Sequence, residues 1–486
     1  MRSQIRFLGA SAWNVGGVTV SHIIALAMIA YLARHLDARD FGYVAIAMLA
    51  VEMSRDFMLG GVPDYLVRER QWHEAFSRSA FVFQILIGLC LALAVAGIGY
   101  SLSVLGEEEI GQAMMLVSVI FPIEAAGAVS QARLRFDQRF RHIGTVQVFG
   151  ALAMAIVAAF SLNLGYGFLA IAHGRIASAL VTTGAYLAMA GWRPGFVWNF
   201  APIFAQWRVL SSIVGTRFLG VLNVKVSDLI IGVIGGAALL GAFQLASRLL
   251  QSFLQALLAP VQTVMLSSLR EQESPDEVRE WIIEAFPLLA FIIFPIAIGA
   301  MVVSPEIVKI LFGEGWNELI LPSAILMFAL IPASLNYLVY PVAVRFDKAH
   351  VAFGLTGFLT VTGSCLFILV SHLGLVAVSV AFVARTLLGS LVSLRLFKTR
   401  FGIPIRPFLT ACIYPGIGAA AVALLVFLAR SNLAIQSQVV ALGIYVVIGA
   451  TGYALVVAVP ALRVWREIAA SRRRKSSGVT GEVATR

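Results

Sequence analysis

The chain has 486 residues, of which 60% are apolar and 13% charged, and a formal net charge of +11. Soluble domains carry about 25% charged residues, and the mean hydropathy here is +0.90. These values exclude a cytosolic globular enzyme, a disordered chain and a secreted disulfide scaffold. They leave a polytopic membrane protein. At about 20 residues per spanning helix, the apolar content suffices for about fourteen spans. The apolar runs are continuous, which excludes an outer-membrane barrel built of alternating strands.

In chain order, runs between charge clusters predict spans at about 11–33, 43–61, 80–101, 112–132, 143–162, 167–190, 209–234, 237–267, 282–303, 319–340, 351–371, 375–394, 408–429 and 438–459. The first run is too long for the apolar core of a signal peptide, and another span follows it. Cys90, Cys365 and Cys412 each fall inside an apolar run with no metal or disulfide spacing, so buried thiols are expected. The expected fold class is all-α, with two parallel six-helix repeats plus two C-terminal helices. The corresponding segments are a lobe at 1–208, a second lobe at 209–407, two further helices at 408–460 and a basic tail at 461–486.

Loop charges predict the orientation. About 26 Lys and Arg residues fall in one alternating set of loops, against about four in the other, namely Arg34, Arg39, Lys309 and Arg430. Both termini are therefore expected in the cytoplasm, at a bacterial inner membrane. Most of the +11 marks topology, and no nucleic-acid partner is implied. The outward loops are short, the longest around Ser304–Glu318, which leaves no external catalytic domain. Glu107, Glu108 and Glu109 read as a solvated cap on the following helix.

Two short matches suggest a duplication. Arg135-Phe136-Asp137 after the fourth span matches Arg345-Phe346-Asp347 after the tenth. The seven-residue linkers Leu36–Gly42 and Gly235–Gly241 also lie six spans apart. An even separation makes the repeats parallel.

Several helix-end patterns resemble a known family. They are Trp13-Asn14 with Gly16 and Gly17; Leu32-Ala33-Arg34-His35-Leu36-Asp37-Ala38-Arg39-Asp40-Phe41-Gly42; Asp56 with Leu59-Gly60; Leu66-Val67-Arg68; Arg248-Leu249-Leu250 through Pro260; and Pro305-Glu306-Ile307-Val308 with Leu311-Phe312-Gly313-Glu314-Gly315-Trp316. Over about residues 11–430 the chain resembles the Wzx-type polysaccharide-unit flippases of the multidrug/oligosaccharidyl-lipid/polysaccharide exporter superfamily. The resemblance implies a bundle of six plus six helices, often with two more. It also implies a cargo of sugar repeat units on polyprenyl pyrophosphate. Arg248 matches a position where that family often places a basic or polar residue.

Ionisable groups inside spans face a cavity or a partner. The bases are Arg55, Arg175, Arg217, Lys225, Arg248 and Arg385; the acids are Glu52, Asp56, Glu124 and Asp228; His22 and His173 are weaker candidates. Six bases against four acids suit a pyrophosphate-bearing cargo. Arg217 and Asp228 lie about 20° apart on one helical face, with Lys225 about 80° round. Lys225 and Asp228 either neutralise each other at i,i+3 or line the cavity; Arg217 either lines it or snorkels to the interface. Glu52 and Arg55 are spaced to pair. Glu124, two residues after a span-bending Pro122, either carries a coupling ion (H+ or Na+) or pairs with an arginine such as Arg175. No cofactor is expected.

Expected partners are the lipid-linked oligosaccharide, membrane lipids, and a polysaccharide polymerase and glycosyltransferases. The tail run Arg472-Arg473-Arg474-Lys475 reads as a topology anchor, a lipid contact or a dock for a cytoplasmic assembly partner. The alternative function is a cation-coupled drug exporter of the same superfamily, with lipid II flipping as a subcase. A membrane enzyme of glycan assembly is disfavoured, since no acid/base cluster or metal motif stands on a sizeable loop.

Overall fold

The computed structural model describes residues 2–69, 71–270, 272, 274–433, 435–458 and 460. The basic run at 472–475 and the rest of the tail lie outside them. Among the described residues the fold is all-α, without a strand. The chain divides into two compact units, Met1–Gln244 and Leu245–Arg486. The division falls inside the expected eighth span, so the seventh span lies with the first unit.

The first unit holds α1 (Arg2–Ala33), α2 (Ala38–Gly60), α3 (Val62–Arg68), α4 (Glu74–Val104), α5 (Glu108–Ser118), α6 (Ile120–Phe136), α7 (Phe140–Asn163), α8 (Leu169–Met189), α9 (Ala201–Ala205) and the start of α10 (Trp207–Phe253). The second holds the end of α10, a π-turn at Leu254–Leu258, α11 (Ala259–Arg270), α12 (Pro275–Val302), α13 (Ser304–Phe312), α14 (Ile320–Phe328), α15 (Leu330–Arg345), α16 (Ala349–Val370), α17 (Leu375–Arg400), α18 (Arg406–Ala411), α19 (Ile413–Asn432) and α20 (Gln438–Ala458). Among the described residues, nine helices are long and apolar enough to cross a membrane, or ten if the bent pair α14–α15 is one span.

Local chemistry sets the breaks. α2 starts at a reciprocal capping box: the Asp40 N–H donates to Asp37 Oδ1 at 2.8 Å, and the Asp37 N–H to Asp40 Oδ2 at 3.2 Å. Glu108 and Glu109 are exposed in the first turn of α5, where the helix dipole favours carboxylates, and Glu107 stands at the N-cap position without a side-chain capping bond. The fourth span breaks at Val119, between α5 and α6, and the tenth at Ala329, between α14 and α15, with a 42° bend. Pro122 and Pro332 each stand third in the helix that resumes. Neither has an N–H for the carbonyl four residues back, at Ser118 and Phe328, so the helical hydrogen-bond ladder breaks in the same place in both spans for the same reason.

The duplication is also written in the backbone. Four left-handed positions recur six spans apart: Gly106 and Gly313 (φ 100° and 95°), Gln138 and Asp347 (both 55°), Gly165 and Gly374 (88° and 93°), and Gly191 and Gly402 (64° and 70°). The helix end after the fourth span closes with Arg139 N–H to Leu134 O at 2.9 Å. That after the tenth closes with Lys348 N–H to Ala343 O at 2.8 Å. Both are six-to-one Schellman closures. They align Gln138 with Asp347, so the tripeptide match at Arg135 and Arg345 is one residue out of step with the backbone.

Three expectations are corrected. The linker expected at Gly235–Gly241 is a break at a single residue, Gly236 (φ 81°), inside α10. A glycine there lets the chain turn sharply without a connecting loop. The outer segment around Ser304–Glu318 is folded as α13 followed by a 3-10 turn, rather than an open loop. The thiols are not buried as a set: Cys90 and Cys365 are exposed on the outward faces of α4 and α16, and Cys412 is half-buried. An apolar thiol is as compatible with lipid as with a core.

Candidate functional site

The charged residues of the first unit gather where α2 runs antiparallel to the first part of α10. Going up α2, Gly61 packs on Val214, Glu52 meets Lys225, Ile46 lies on Gly232, Gly42 meets Ala237 and Ala38 meets Gly241. One number falls as the other rises, so the two helices are zipped along their whole contact. At the Arg-rich end, Asp64 of α3 takes Arg217 at 2.5 Å and Arg135 at 3.6 Å.

The pairing differs from the sequence expectation. Glu52 and Arg55 do not pair with each other. Glu52 binds Lys225 at 2.5 Å, and Arg55 binds Glu124 at 2.8 Å. Residues at i,i+3 on one helix meet only when nothing better stands opposite, and here α10 and α6 each present a counter-charge. Lys225 also approaches Asp228, at 3.6 Å, so that expected pair forms as the weaker of two. Glu124 reaches Arg55 rather than Arg175. Arg217 ends in a carboxylate pair, not in free snorkelling. The side chain of Asp56 lies outside the described residues. His173 bonds Ser161 Oγ at 2.6 Å and packs edge-on to Tyr166, away from this cluster.

A cavity of about 170 Å³ opens among α2, α6, α7 and α8. Its charged lining is Glu52, Arg55, Glu124 and Arg175; its polar lining includes Gln131, Gln147, Ser178, Thr182, Thr183 and Tyr186. Gln131 and Gln147 each donate an amide N–H to the Tyr186 hydroxyl at 3.3 Å. The hydroxyl accepts both and keeps its own proton to donate. Three of the charges are matched, Glu52 by Lys225 and Arg55 by Glu124, whereas no carboxylate among the described residues pairs with Arg175. The cavity is therefore polar and rich in donors, with two guanidinium groups and two carboxylates in its lining.

The other two expected bases lie in the second unit. Arg385 of α17 donates to the Leu359 carbonyl at 2.9 Å, lies against Gly363 and stands 5.9 Å over the Phe382 ring, tying α17 to α16. Arg248 is half-buried on α10. Sequence reasoning missed Asp64, which reads as a loop acid until Arg217 is seen beside it. It also missed Gln131, Gln147 and Tyr186. The signal for the amides was available, since a glutamine inside a span needs a polar partner.

The duplicated, proline-broken helices and the polar cavity sealed by cross-helix ion pairs define a multi-pass α-helical membrane transporter. Residues 31–321 match the family described as polysaccharide biosynthesis protein, and the chain belongs to that family. It is 19% identical to the lipopolysaccharide biosynthesis protein WzxC of Escherichia coli K12 over 66% of this chain and 66% of that protein. It is 22% identical to the succinoglycan biosynthesis transport protein ExoT of Rhizobium meliloti over 63% of this chain and 62% of that one. The match thus spans just under two thirds of the length of these relatives. In fold the chain is similar to the lipid II flippase MurJ in an inward closed conformation, with a TM-score of 0.71, 15% identity and coverage of 94% of this chain and 98% of that one. It is also similar to an inward-facing multidrug resistance MATE family transporter, with a TM-score of 0.61, 15% identity and coverage of 79% and 94%.

Proposed function

We propose that this protein is a flippase for oligosaccharide units linked to polyprenyl pyrophosphate, carrying them from the cytoplasmic to the outer leaflet for surface polysaccharide synthesis. The single observation behind this reading is the donor-rich polar cavity in which no carboxylate among the described residues pairs with Arg175. A sugar-phosphate headgroup brings hydroxyls for Gln131, Gln147, Thr182 and Tyr186 and negative charge for a guanidinium. The names of the family and of its relatives WzxC and ExoT support the same reading. The protein acts as a transporter and not an enzyme. It sits in the bacterial inner membrane with both termini in the cytoplasm, which is supported by the positive-inside bias of its loops.

Alternating access supplies the mechanism. Arg55, Arg175, Arg217 and Lys225 of the first unit meet the anionic and hydroxylated cargo as it passes, and Arg248 and Arg385 are further candidate cargo contacts within the second unit. Glu124 holds Arg55 between cycles, Glu52 and Asp228 hold Lys225, and Asp64 holds Arg217. Each pair that opens leaves a carboxylate able to take a proton or Na+, which couples cargo movement to an ion gradient. A polymerase and glycosyltransferases act on either side of the step.

The test is a deletion strain complemented with Arg175→Gln at normal protein level. Loss of surface polymer with build-up of the lipid-linked unit on the inner leaflet is expected. Normal polymer in the deletion strain itself would end the proposal. Unchanged polymer with raised sensitivity to amphipathic drugs would favour a drug exporter.

A further inference from the structure

Between α8 and α10 the chain runs as a strap over residues 190–206, in which only α9 is helical, and Trp207 and Arg208 open α10 at its end. Its first anchor is Trp192, buried, whose indole N–H donates to Glu74 Oε2 at 2.8 Å and whose ring packs on Phe81. Ile203 is fully buried, and Phe200 packs on Phe83. These residues lay the strap along the first turns of α4. Four aromatic residues of this stretch keep most of their surface exposed, although Phe196 packs edge-on to Phe81 and Phe204 edge-on to Phe83. Phe196 is 73% exposed, Trp198 69%, Phe204 59% and Trp207 54%.

The backbone fixes the depth of this strap. Irregular chain has unpaired N–H and C=O groups, which hydrocarbon does not tolerate unless protein or water satisfies them. Four outward aromatics are equally ill-suited to open water. The level that meets both demands is the headgroup zone, where tryptophan concentrates. Three arginines surround the same patch. Arg78 lays its stem across Gly195, while Arg193 and Arg208 stand at the two ends of the strap. All three are exposed, and no carboxylate among the described residues pairs with them. Glu74, beside the strap, is engaged by Trp192.

We propose that residues 192–208, with Arg78, bind anionic phospholipid headgroups of the leaflet at this face. The guanidinium groups take the phosphates, and the outward aromatics enter the boundary with the acyl chains. Such a patch requires only a membrane-spanning chain and is independent of the flippase reading. The occupant is lipid rather than protein because the patch combines aromatic rings with unmatched cations on irregular backbone.

The experiment uses the full chain in nanodiscs of fixed lipid composition. In one preparation the phosphatidylglycerol carries brominated acyl chains, and in the other the phosphatidylcholine does. The W198F/W207F variant isolates the emission of those two residues by difference. Stronger quenching by the brominated anionic lipid is expected. The preference should vanish in R78Q/R193Q/R208Q and persist in R78K/R193K/R208K. The apparent affinity for phosphatidylglycerol should fall roughly fivefold per arginine neutralised. Equal quenching by the two lipids in the wild type would overturn the proposal, as would a preference that survives the glutamine variant. Emission untouched by either lipid would show the strap covered by protein and would overturn it too.

Discussion

Gly42 and Gly241 face each other with their backbones in contact. A methyl group added to Gly42 would overlap the carbonyl of Ala237, and one added to Gly241 would overlap the carbonyl of Ala38. The contact is reciprocal, and the two glycines hold corresponding places in the matched segments Leu36–Gly42 and Gly235–Gly241. Such symmetry is what two copies of one segment produce when they pack on each other. Because each obstacle is backbone, no rotamer change relieves it. Gly42→Ala should therefore part α2 from α10 at this end, with a cost of about 1–3 kcal/mol. Gly42→Ala with Gly241→Ala should cost clearly less than the two separate effects added, because the first already opens the seam. Thermal melts of the four proteins in detergent measure this, and strict additivity would refute the shared contact.

Glu52 and Lys225 offer a charge test of the same seam. Their side chains are 35% and 24% exposed, so the pair is neither solvated nor sealed. Removing one partner should cost about 1–3 kcal/mol, between the surface and buried limits. Glu52→Gln leaves Lys225 with Asp228 at 3.6 Å. Lys225→Gln leaves two carboxylates close together and should be the worse variant. The exchange E52K/K225E should recover only part of the loss, since the new acid would then face Asp228. Melting temperature and surface polymer in complemented strains read out both orders. Equal behaviour of the two glutamine variants would contradict the pairing.

What the sequence made legible follows from what carries local information. Apolar runs and loop charge mark helices and their order because each span must satisfy itself in lipid. Pro122 announced the bend in the fourth span through its own missing N–H. The charged residues were also visible, since an ionisable group in a span is conspicuous. Their partners were not. Glu52 at i,i+3 from Arg55 suggested a pair, yet the choice was made by α6 and α10, whose approach depends on long-range packing. Asp64 was invisible for the same reason. The seven-residue linker failed because Gly236 alone can turn the chain, and a glycine pair does not say which member does so.

The helix ends carry a stability prediction. Gln138 and Asp347 both adopt φ 55°, the left-handed region that costs an L-residue about 1–2 kcal/mol. Glycine relieves that strain at some entropic cost in the unfolded chain. Aspartate tolerates this region better than glutamine. Gln138→Gly should thus raise stability by about 0.5–1 kcal/mol, and Asp347→Gly by less. Neither should alter polymer output. A destabilised Q138G, measured by thermal melting, would show that the side chain does more than sit at a helix end.

Arg430 and Glu306 hold the C-terminal helices onto the second unit. The Arg430 guanidinium meets Glu306 Oε2 at 2.6 Å, donates to the Val302 carbonyl at 2.8 Å and lies 5.6 Å over the Tyr445 ring. One side chain of α19 thus engages the end of α12, the first turn of α13 and α20. The Glu306 side chain is only 8% exposed, so it cannot exchange Arg430 for water. Arg430→Ala strands a buried carboxylate and should cost about 3–5 kcal/mol. Glu306→Gln keeps an acceptor for the guanidinium and should cost about half as much or less. Since the pair lies far along the chain from the cavity residues, polymer output at a permissive temperature should survive both changes while the melting point falls. Loss of output at full thermal stability would instead place Arg430 in the transport path.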